Sequence, residues 1–310
     1  MTDPSELYLG NPGLLDDPRV HGAPLIISLT GYAEGGQLSD QVRETLLESL
    51  PHAVLARFDA DQLQDYRARR PYVRFVEDHF ERAENPELTL YGLTDPLGRH
   101  FNLLAGPEPD LQWNRFTDAV MQLADRLETS IVINVAGIPM PVPHTRPFLV
   151  SVHGNRTDLV TQNHNQRPIA HMSSSVAQQL EIRCSELGMD TIGFTVHVPQ
   201  YLADARLPQI AVSAFEHVAA ATGLTLPTDS LRDAGADVLQ RIAEQLSAAP
   251  EVQAVIDAME TRYDETVTEP KQRSLLAGDE SELPDADEIG AAVEAFLANR
   301  PEKSEGPPEY

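Results

Sequence analysis

The sequence predicts a layered α/β protein with a mixed central sheet. Short apolar segments typical of buried strands alternate with segments in which apolar residues recur at helical spacing, and this alternation indicates a sheet covered by helices. Two adjacent strand-like segments flank the turn Thr-Asp-Pro-Leu-Gly at 94–98 and should form a hairpin. Helical crossovers join parallel strands whereas a hairpin joins antiparallel ones, so both kinds of pairing are expected in one sheet.

The first strand is predicted over residues 24–30, Pro-Leu-Ile-Ile-Ser-Leu-Thr, because the segment is almost continuously apolar. A glycine-rich stretch at 31–36 follows it directly. Beyond that stretch, apolar residues recur every four positions, which predicts an amphipathic helix over 38–50. The unit is therefore strand, glycine turn and helix.

The remaining elements follow from the same two patterns. Strands are predicted at 53–58, 88–93, 101–104, 130–135, 148–152 and 191–198, and helices at 71–83, 111–127, 174–186 and 208–222. Beyond residue 229 the strand pattern stops. Two further helices are predicted there, the second beginning at Pro250, a residue favoured in the first turn.

The helix over 111–127 has the clearest signal. Apolar residues from Trp113, the only tryptophan, to Leu127 follow at alternating spacings of three and four. Asp110 lies where an N-cap is expected, and the preceding proline disfavours an earlier start. This pattern describes a well-capped core helix, but it also allows Glu108 and Asp110 to lie at the rim of a site where strand meets helix.

Four regions are expected along the chain. Residues 1–23 form an N-terminal segment and 24–228 form the α/β core. Residues 229–265 form a helical pair that packs either on that core or on a neighbouring subunit. Residues 266–310 combine an acidic linker, a short helix at 287–299 and a flexible tail, since this part has few large apolar residues.

Composition excludes several classes of function. The net charge of −25 would repel nucleic acid and anionic membrane surfaces. Cys184 is the only cysteine, so no intramolecular disulfide can form. The N-terminus lacks the pattern of a signal peptide, and no apolar run is long enough to span a membrane. We therefore expect a cytoplasmic protein.

The glycine-rich turn is the first candidate for a ligand site. Gly31, Gly35 and Gly36 separate a strand from a helix, where backbone N–H groups can bind an anion. The turn lacks the Lys-Ser/Thr of a nucleotide P-loop and the spacing of a dinucleotide fingerprint. The pattern therefore favours a plain tight turn over a ligand site.

Histidines are concentrated between residues 144 and 197, but no pair has the spacing of metal ligands. His197 falls near the end of a predicted strand, where α/β proteins place their ligands. There is no Gly-x-Ser-x-Gly nucleophile motif, and the serines at 173–175 are typical of a helix cap. The sequence therefore predicts no catalytic residue, metal site or cofactor.

Four segments in order resemble the PAC2 family, related to proteasome assembly chaperone 2, in the form found in actinobacteria. They are Gly-Pro-Glu-Pro-Asp at 106–110 with Trp113 and Phe116, Pro-His-Thr-Arg-Pro at 143–147, Gly-Phe-Thr-Val-His-Val-Pro-Gln-Tyr at 193–201 and Met-Glu-Thr-Arg-Tyr-Asp at 259–264. The resemblance covers roughly residues 20–265.

This resemblance implies a three-layer αβα fold similar to purine nucleoside phosphorylases and to peptidyl hydrolases of that architecture. It also implies a homo-oligomer, for which a trimer is expected, and proteasome ring subunits as partners. Chaperones of this kind often end in a hydrophobic-Tyr-any tripeptide that enters a pocket of the ring. Here Tyr310 is the last residue and Glu309 occupies the position of that tyrosine, so Tyr310 is a partner-binding candidate in an altered register.

Two functions remain open from the sequence. The first is a non-catalytic, oligomeric, protein-binding protein of assembly-chaperone type. The second is a small-molecule protein or enzyme that binds a nucleoside-like or phosphate-like ligand in a phosphorylase-like cleft. That cleft would be lined by the residues at the predicted carboxyl edge: Gly31, Gly35, Gly36, Glu108, His144, Arg146 and His197.

Overall fold

The fold is taken from a computed structural model. It describes residues 3–32, 34–81, 85–162, 171–247 and 250–268. The chain divides into two units, Met1–Tyr263 and Asp264–Tyr310, and only the end of one helix is described in the second. The predicted helix at 287–299 and the flexible tail thus lie outside the described residues.

Strands and helices follow the predicted alternation closely. The strands are β1 (Tyr8–Gly10), β2 (Leu25–Thr30), β3 (His52–Phe58), β4 (Phe75–Val76), β5 (His79–Phe80), β6 (Thr89–Thr94), β7 (His100–Pro107), β8 (Val132–Met140), β9 (Val150–Gly154) and β10 (Thr191–Pro199). The helices are α1 (Pro12–Leu15), α2 (Leu38–Ser49), α3 (Ala60–Leu63), α4 (Trp113–Arg126), α5 (Thr157–Gln162), α6 (Val176–Leu187), α7 (Pro208–Thr222), α8 (Asp229–Ser247) and α9 (Pro250–Thr268).

Eight strands form one mixed sheet in the order β1-β3-β6-β7-β2-β8-β10-β9. The four central strands β7, β2, β8 and β10 are parallel, and the strands on either side pair antiparallel to them. The predicted mixed sheet is confirmed. The turn at 94–98 joins β6 and β7 as an antiparallel hairpin, as expected.

Helices cover both faces of the sheet, which gives the three-layer αβα arrangement. One apolar cluster joins the sheet to α2 and α7, for example through Leu46 and Phe215. The other joins it to α4 and α6, for example through Phe116 and Leu180. Phe116 and Phe215 are at most 2% exposed, so each face of the sheet is sealed by large side chains.

The helix predicted over 71–83 is wrong. Residues 75–80 instead form the hairpin β4–β5, which pairs outside the main sheet. Val76 pairs with His79 across a two-residue turn in which Glu77 has a positive φ of 52°. Aromatic and β-branched residues favour this extended structure.

The N-terminus and the start of α4 also differ from the expectation. Residues 8–10 form the edge strand β1 on β3, an element too short to be recognised from its pattern. The N-cap of α4 is Gln112, and not Asp110. The Asp110 carboxylate instead accepts a hydrogen bond from the Asp65 N–H at 2.8 Å and pairs with Arg69 at 3.1 Å.

The two helices beyond residue 229 are α8 and α9. Leu231, Val238 and Ile242 of α8 pack against the same apolar cluster as α7. Ile256 of α9 is only 1% exposed. The sequence left two packing partners open for this helical pair, and α8 contacts the core. The boundaries of the four regions along the chain stay a prediction.

Candidate functional site

The carboxyl ends of the four parallel strands meet at one edge of the sheet. The register pairs Thr30 with Pro107 and Pro199 with Met140, so β2, β7, β8 and β10 all end there. Open α/β sheets bind their ligands at this edge. Of the candidate residues chosen from the sequence, Gly31 and Glu108 follow β2 and β7 directly. His144 and Arg146 come later, in the segment after β8, and His197 lies within β10.

Glu108 is the first residue after β7, and its side chain is only 4% exposed. Its carboxylate accepts hydrogen bonds from the N–H of Val176 at 2.5 Å and from the N–H of Tyr32 at 3.4 Å. Because Val176 is the first residue of α6, Glu108 caps that helix from across the sheet. A Cβ at Gly31 would lie 2.7 Å from the same carboxylate, so Gly31 gives it room.

The glycine turn uses its backbone N–H groups within the fold. The N–H of Gly35 donates to Gly137 O at 3.0 Å, and that of Gly36 donates to Ala203 O at 2.6 Å. Helix α2 is capped by the turn's own carboxylate, since Ser39 N–H donates to Glu34 Oε1 at 2.7 Å. Burial raises the pKa of Glu34, although the bond from Ser39 acts in the opposite direction.

His144 lies after β8 and forms a closed pair with Tyr201, which follows β10. The Tyr201 hydroxyl accepts from the His144 backbone N–H at 2.9 Å and lies 2.7 Å from His144 Nδ1. The tautomer of the imidazole decides whether this hydroxyl donates to Nδ1 or accepts from it. Burial lowers the pKa of His144, and the nearby Glu260 opposes this only in part.

Arg146 and its neighbours are held by α9. The guanidinium of Arg146 lies 3.3 Å from Glu260 Oε2, and Thr145 Oγ1 donates to the other oxygen of that carboxylate. The Tyr263 hydroxyl donates to Pro147 O at 2.8 Å. The segment after β8 is thereby fixed on one side by Tyr201 and on the other by α9.

The remaining candidates lie apart from these residues. His197 Nε2 is 2.8 Å from Ser151 Oγ on β9, and burial lowers the pKa of this imidazole. Tyr310 lies outside the described residues. The structure thus brings Gly31 together with Glu108, places His144 and Arg146 in one neighbouring segment, and gives His197 a separate environment.

Sequence reasoning missed several of the residues that build this edge. Glu34 and Glu260 carried no pattern that separates them from the other acidic residues of a chain with 48 carboxylates. Tyr32 is 78% exposed at the edge, and its position after a glycine was the only available signal. Tyr201 was part of a segment that resembled the family, but its pairing with His144 could not be inferred.

Two general features of the described residues bear on chemistry. Within them, no three His, Cys, Asp or Glu side chains are grouped so that they could hold a metal ion. Among the helices that the structure describes, none combines the length and apolar character needed to cross a membrane. Cys184 is buried, and burial raises the pKa of its thiol to about 11.

The solved structures similar to this chain include several actinobacterial proteins. A Mycobacterium tuberculosis protein of unknown function is 36% identical, with a TM-score of 0.81 over 86% of this chain and 93% of that chain. A Corynebacterium glutamicum protein of unknown function is 31% identical, with a TM-score of 0.80 over 84% and 98%. The Mycobacterium tuberculosis proteasome-assembly chaperone homologue shares the fold at 21% identity, with a TM-score of 0.66 over 71% and 94%.

Among curated proteins, none is significantly similar in sequence to this chain. The family model described as PAC2 family, in contrast, matches residues 28–246. This range contains the end of β2, all of β7, β8 and β10, and most of the carboxyl edge. The match covers more than half of the sequence, and the chain therefore belongs to the PAC2 family.

Proposed function

We propose that this chain is an oligomeric, protein-binding protein of assembly-chaperone type that works without catalysis at the carboxyl edge of its sheet. The proposal includes a cytoplasmic location, a homo-oligomer and proteasome ring subunits as partners. The observation that carries it is the exposed aromatic surface of the β4–β5 hairpin.

That surface consists of Tyr72, Phe75 and Phe80, which are 86%, 59% and 70% exposed. The Phe75 and Phe80 rings contact each other edge to face at 5.0 Å, so the hairpin presents them as one unit. Large aromatic side chains gathered outside the core mark sites of protein association. A second copy of the chain is the partner that we propose for this hairpin.

The carboxyl edge supports protein binding over a phosphate-like ligand. The N-termini of α2 and α6, where an anion would bind, are occupied by Glu34 and Glu108. The amides of the glycine turn donate to carbonyl groups of the fold. A phosphate placed there would meet two carboxylates and no free amide of Gly35 or Gly36.

Proteasome rings are proposed as partners because a protein of the same fold is named a proteasome-assembly chaperone homologue. The full chain and a form ending at Asp264 should each be tested for capture of ring subunits from a host that contains proteasomes. Capture by the full chain alone would assign binding to the segment that includes Tyr310. If neither form enriches ring subunits, the proteasome part of the proposal is wrong.

The oligomer is tested by a double substitution in the hairpin, Phe75→Ser with Phe80→Ser. We expect a shift toward monomer in sedimentation velocity, because the change removes the exposed aromatic contact and leaves the main sheet intact. Leu97→Ser is the matched control, since Leu97 is 72% exposed in the other tight hairpin. An unchanged oligomer in the double variant would contradict the assigned role of the hairpin.

The small-molecule function keeps one supporting observation, the hydrogen-bonded pair of the buried His144 and the exposed Tyr201 beside Arg146 at the carboxyl edge. Thermal unfolding with nucleosides, inorganic phosphate and nucleotides tests it, because a ligand of the native state raises Tm. A shift that Arg146→Ala abolishes would favour this function over the first one.

A further inference from the structure

A row of polar side chains lies on the α6 side of the sheet at β9 and β10, away from the carboxyl edge. We call it the polar face, and it consists of Ser151, His153, Glu181, Thr195 and His197. The antiparallel register places Thr195 opposite Ser151 and Gly193 opposite His153, so these residues share one face. Glu181 reaches them from α6.

Three of these side chains form a connected acid, imidazole and hydroxyl. His153 Nδ1 lies 2.7 Å from Glu181 Oε2, and His153 Nε2 lies 3.0 Å from Thr195 Oγ1. This is the geometry of an activated nucleophile: a hydroxyl in hydrogen-bond reach of a base, and the base oriented by a third group. The Glu181 carboxylate fixes the Nδ1–H tautomer, which leaves Nε2 free to accept the hydroxyl proton.

Gly193 is required for this arrangement. A Cβ at Gly193 would lie 2.0 Å from His153 Cε1, because the imidazole ring occupies the space above the glycine. Any other residue at this position would displace the ring. A glycine inside a strand normally weakens the sheet. Here it lies at the point where the imidazole ring needs space.

We propose that Thr195, His153 and Glu181 form an acyl-transfer centre that hydrolyses small esters. Thr195 Oγ1 attacks the ester carbonyl carbon while His153 Nε2 takes the hydroxyl proton. The tetrahedral intermediate then expels the alcohol, which receives that proton. Water, activated by the same imidazole, adds to the acyl-threonine and releases the carboxylic acid, and Thr195 regains its proton.

The centre is open to solvent on the imidazole side. The His153 side chain is 40% exposed and Glu181 is 19% exposed, so a small acyl group can reach the imidazole while the carboxylate stays largely shielded. Thr195 is a secondary alcohol on a regular strand. We therefore expect a slow enzyme that uses small, activated esters.

The second hydroxyl and imidazole pair on the polar face is a built-in control. Ser151 Oγ lies 2.8 Å from His197 Nε2, but no carboxylate bonds to His197 in the described part of the chain. Ser151 and Thr195 are direct neighbours, so both pairs meet the same solvent. Only the pair that contains Glu181 satisfies the full geometry, and only Thr195 should be acylated.

The test uses the full-length protein with p-nitrophenyl acetate and p-nitrophenyl butyrate. We expect saturable hydrolysis above the buffer rate. Thr195→Val, which keeps the shape of the side chain, and His153→Gln should each lower kcat about a hundredfold, the typical contribution of a general base. Ser151→Ala and His197→Gln should stay within about threefold of the wild type.

Mass spectrometry of acid-quenched protein supplies a second readout, in which an acetyl group is found on the peptide that contains Thr195. Thermal unfolding confirms that each variant is folded. The proposal is overturned if hydrolysis does not exceed the buffer rate, if Thr195→Val keeps wild-type activity, or if the acyl group is found on Ser151.

Discussion

At the scale of single residues, several glycines make room for neighbouring side chains. Gly31 makes room for the Glu108 carboxylate and Gly193 for the His153 ring. Gly36 has a positive φ of 67°, and a Cβ added to it would lie 2.3 Å from Ile210 Cδ1 of α7. These glycines therefore leave space for side chains of neighbouring segments. The sequence placed them in a turn or a strand but did not reveal this role.

Gly36→Ala tests this role of packing. We expect a loss of about 1–3 kcal/mol from the clash with Ile210, in addition to about 1–2 kcal/mol for a side chain at positive φ. Gly98→Ala is the matched control, because Gly98 has a φ of 82° with no atom within 4 Å of an added Cβ. Equal losses of unfolding free energy in urea would show that α7 does not press on the turn.

The buried histidines should make stability depend on pH. Burial lowers the pKa of His144 and of His197 below the ordinary value of 6.5. The unfolded chain therefore binds more protons than the fold as the pH falls through 6.5, and stability decreases toward acid until the folded pKa values are passed.

We expect His144→Gln to reduce this loss, since glutamine has no imidazole to protonate. The measurement is Tm between pH 7.5 and 5.5, compared with His79→Gln, which replaces a ring whose side chain is 62% exposed. A pH dependence of His144→Gln identical to that of the wild type would contradict the assignment.

At the scale of elements, the sequence predicted best where packing follows a regular pattern. Strands β2, β3, β6 and β10 were predicted within one or two residues of their observed bounds, and α7 matched at both ends. The mixed sheet followed from alternation and one hairpin turn. The failures were the β4–β5 hairpin, β1 and the cap of α4, all of which depend on distant residues that a local pattern does not contain.

The candidate site was predictable in place but not in its contacts. The strand ends pointed to the carboxyl edge of the sheet, and Glu108, His144 and Arg146 lie there. The hydrogen-bond partner of His144 is 57 residues away along the chain, and that of Thr145 is 115 residues away. Pairings over such distances follow from topology and not from spacing.

Helix α9 should loosen when Glu260 is replaced. Glu260→Ala removes the bonds to Thr145 and Arg146, so we expect amide exchange in residues 253–263 to speed up about 5–30-fold while Tm changes little. Asp257→Asn is the control on the same helix, because among the described residues the Asp257 carboxylate bonds only to Gln253. Equal exchange rates in the two variants would show that Glu260 does not anchor α9.

At the scale of the whole molecule, the charge of −25 sets how the protein meets its partners. Two copies repel each other, whereas an apolar contact through the hairpin attracts them. Added salt screens this repulsion. Self-association and binding to a basic partner should therefore respond to salt in opposite directions.

We expect the dissociation constant of the oligomer to fall as NaCl rises from about 0.03 to about 0.3 M, because the Debye length shortens from well above 10 Å to below it. Binding to a basic protein surface should weaken over the same range. Sedimentation equilibrium measures the first and fluorescence anisotropy the second. An oligomer that dissociates in salt would point to ion pairs in place of aromatic contacts.

The carboxylates at the start of α2 and α6 have a consequence for how this scaffold can evolve. Glu34 and Glu108 neutralise helix ends that would otherwise attract anions. Replacing Glu34 with a neutral residue would free the Ser39 amide and remove one negative charge from the edge. A first step toward an anion site at α2 is thus a single substitution, whereas opening the whole edge requires the loss of Glu108 as well.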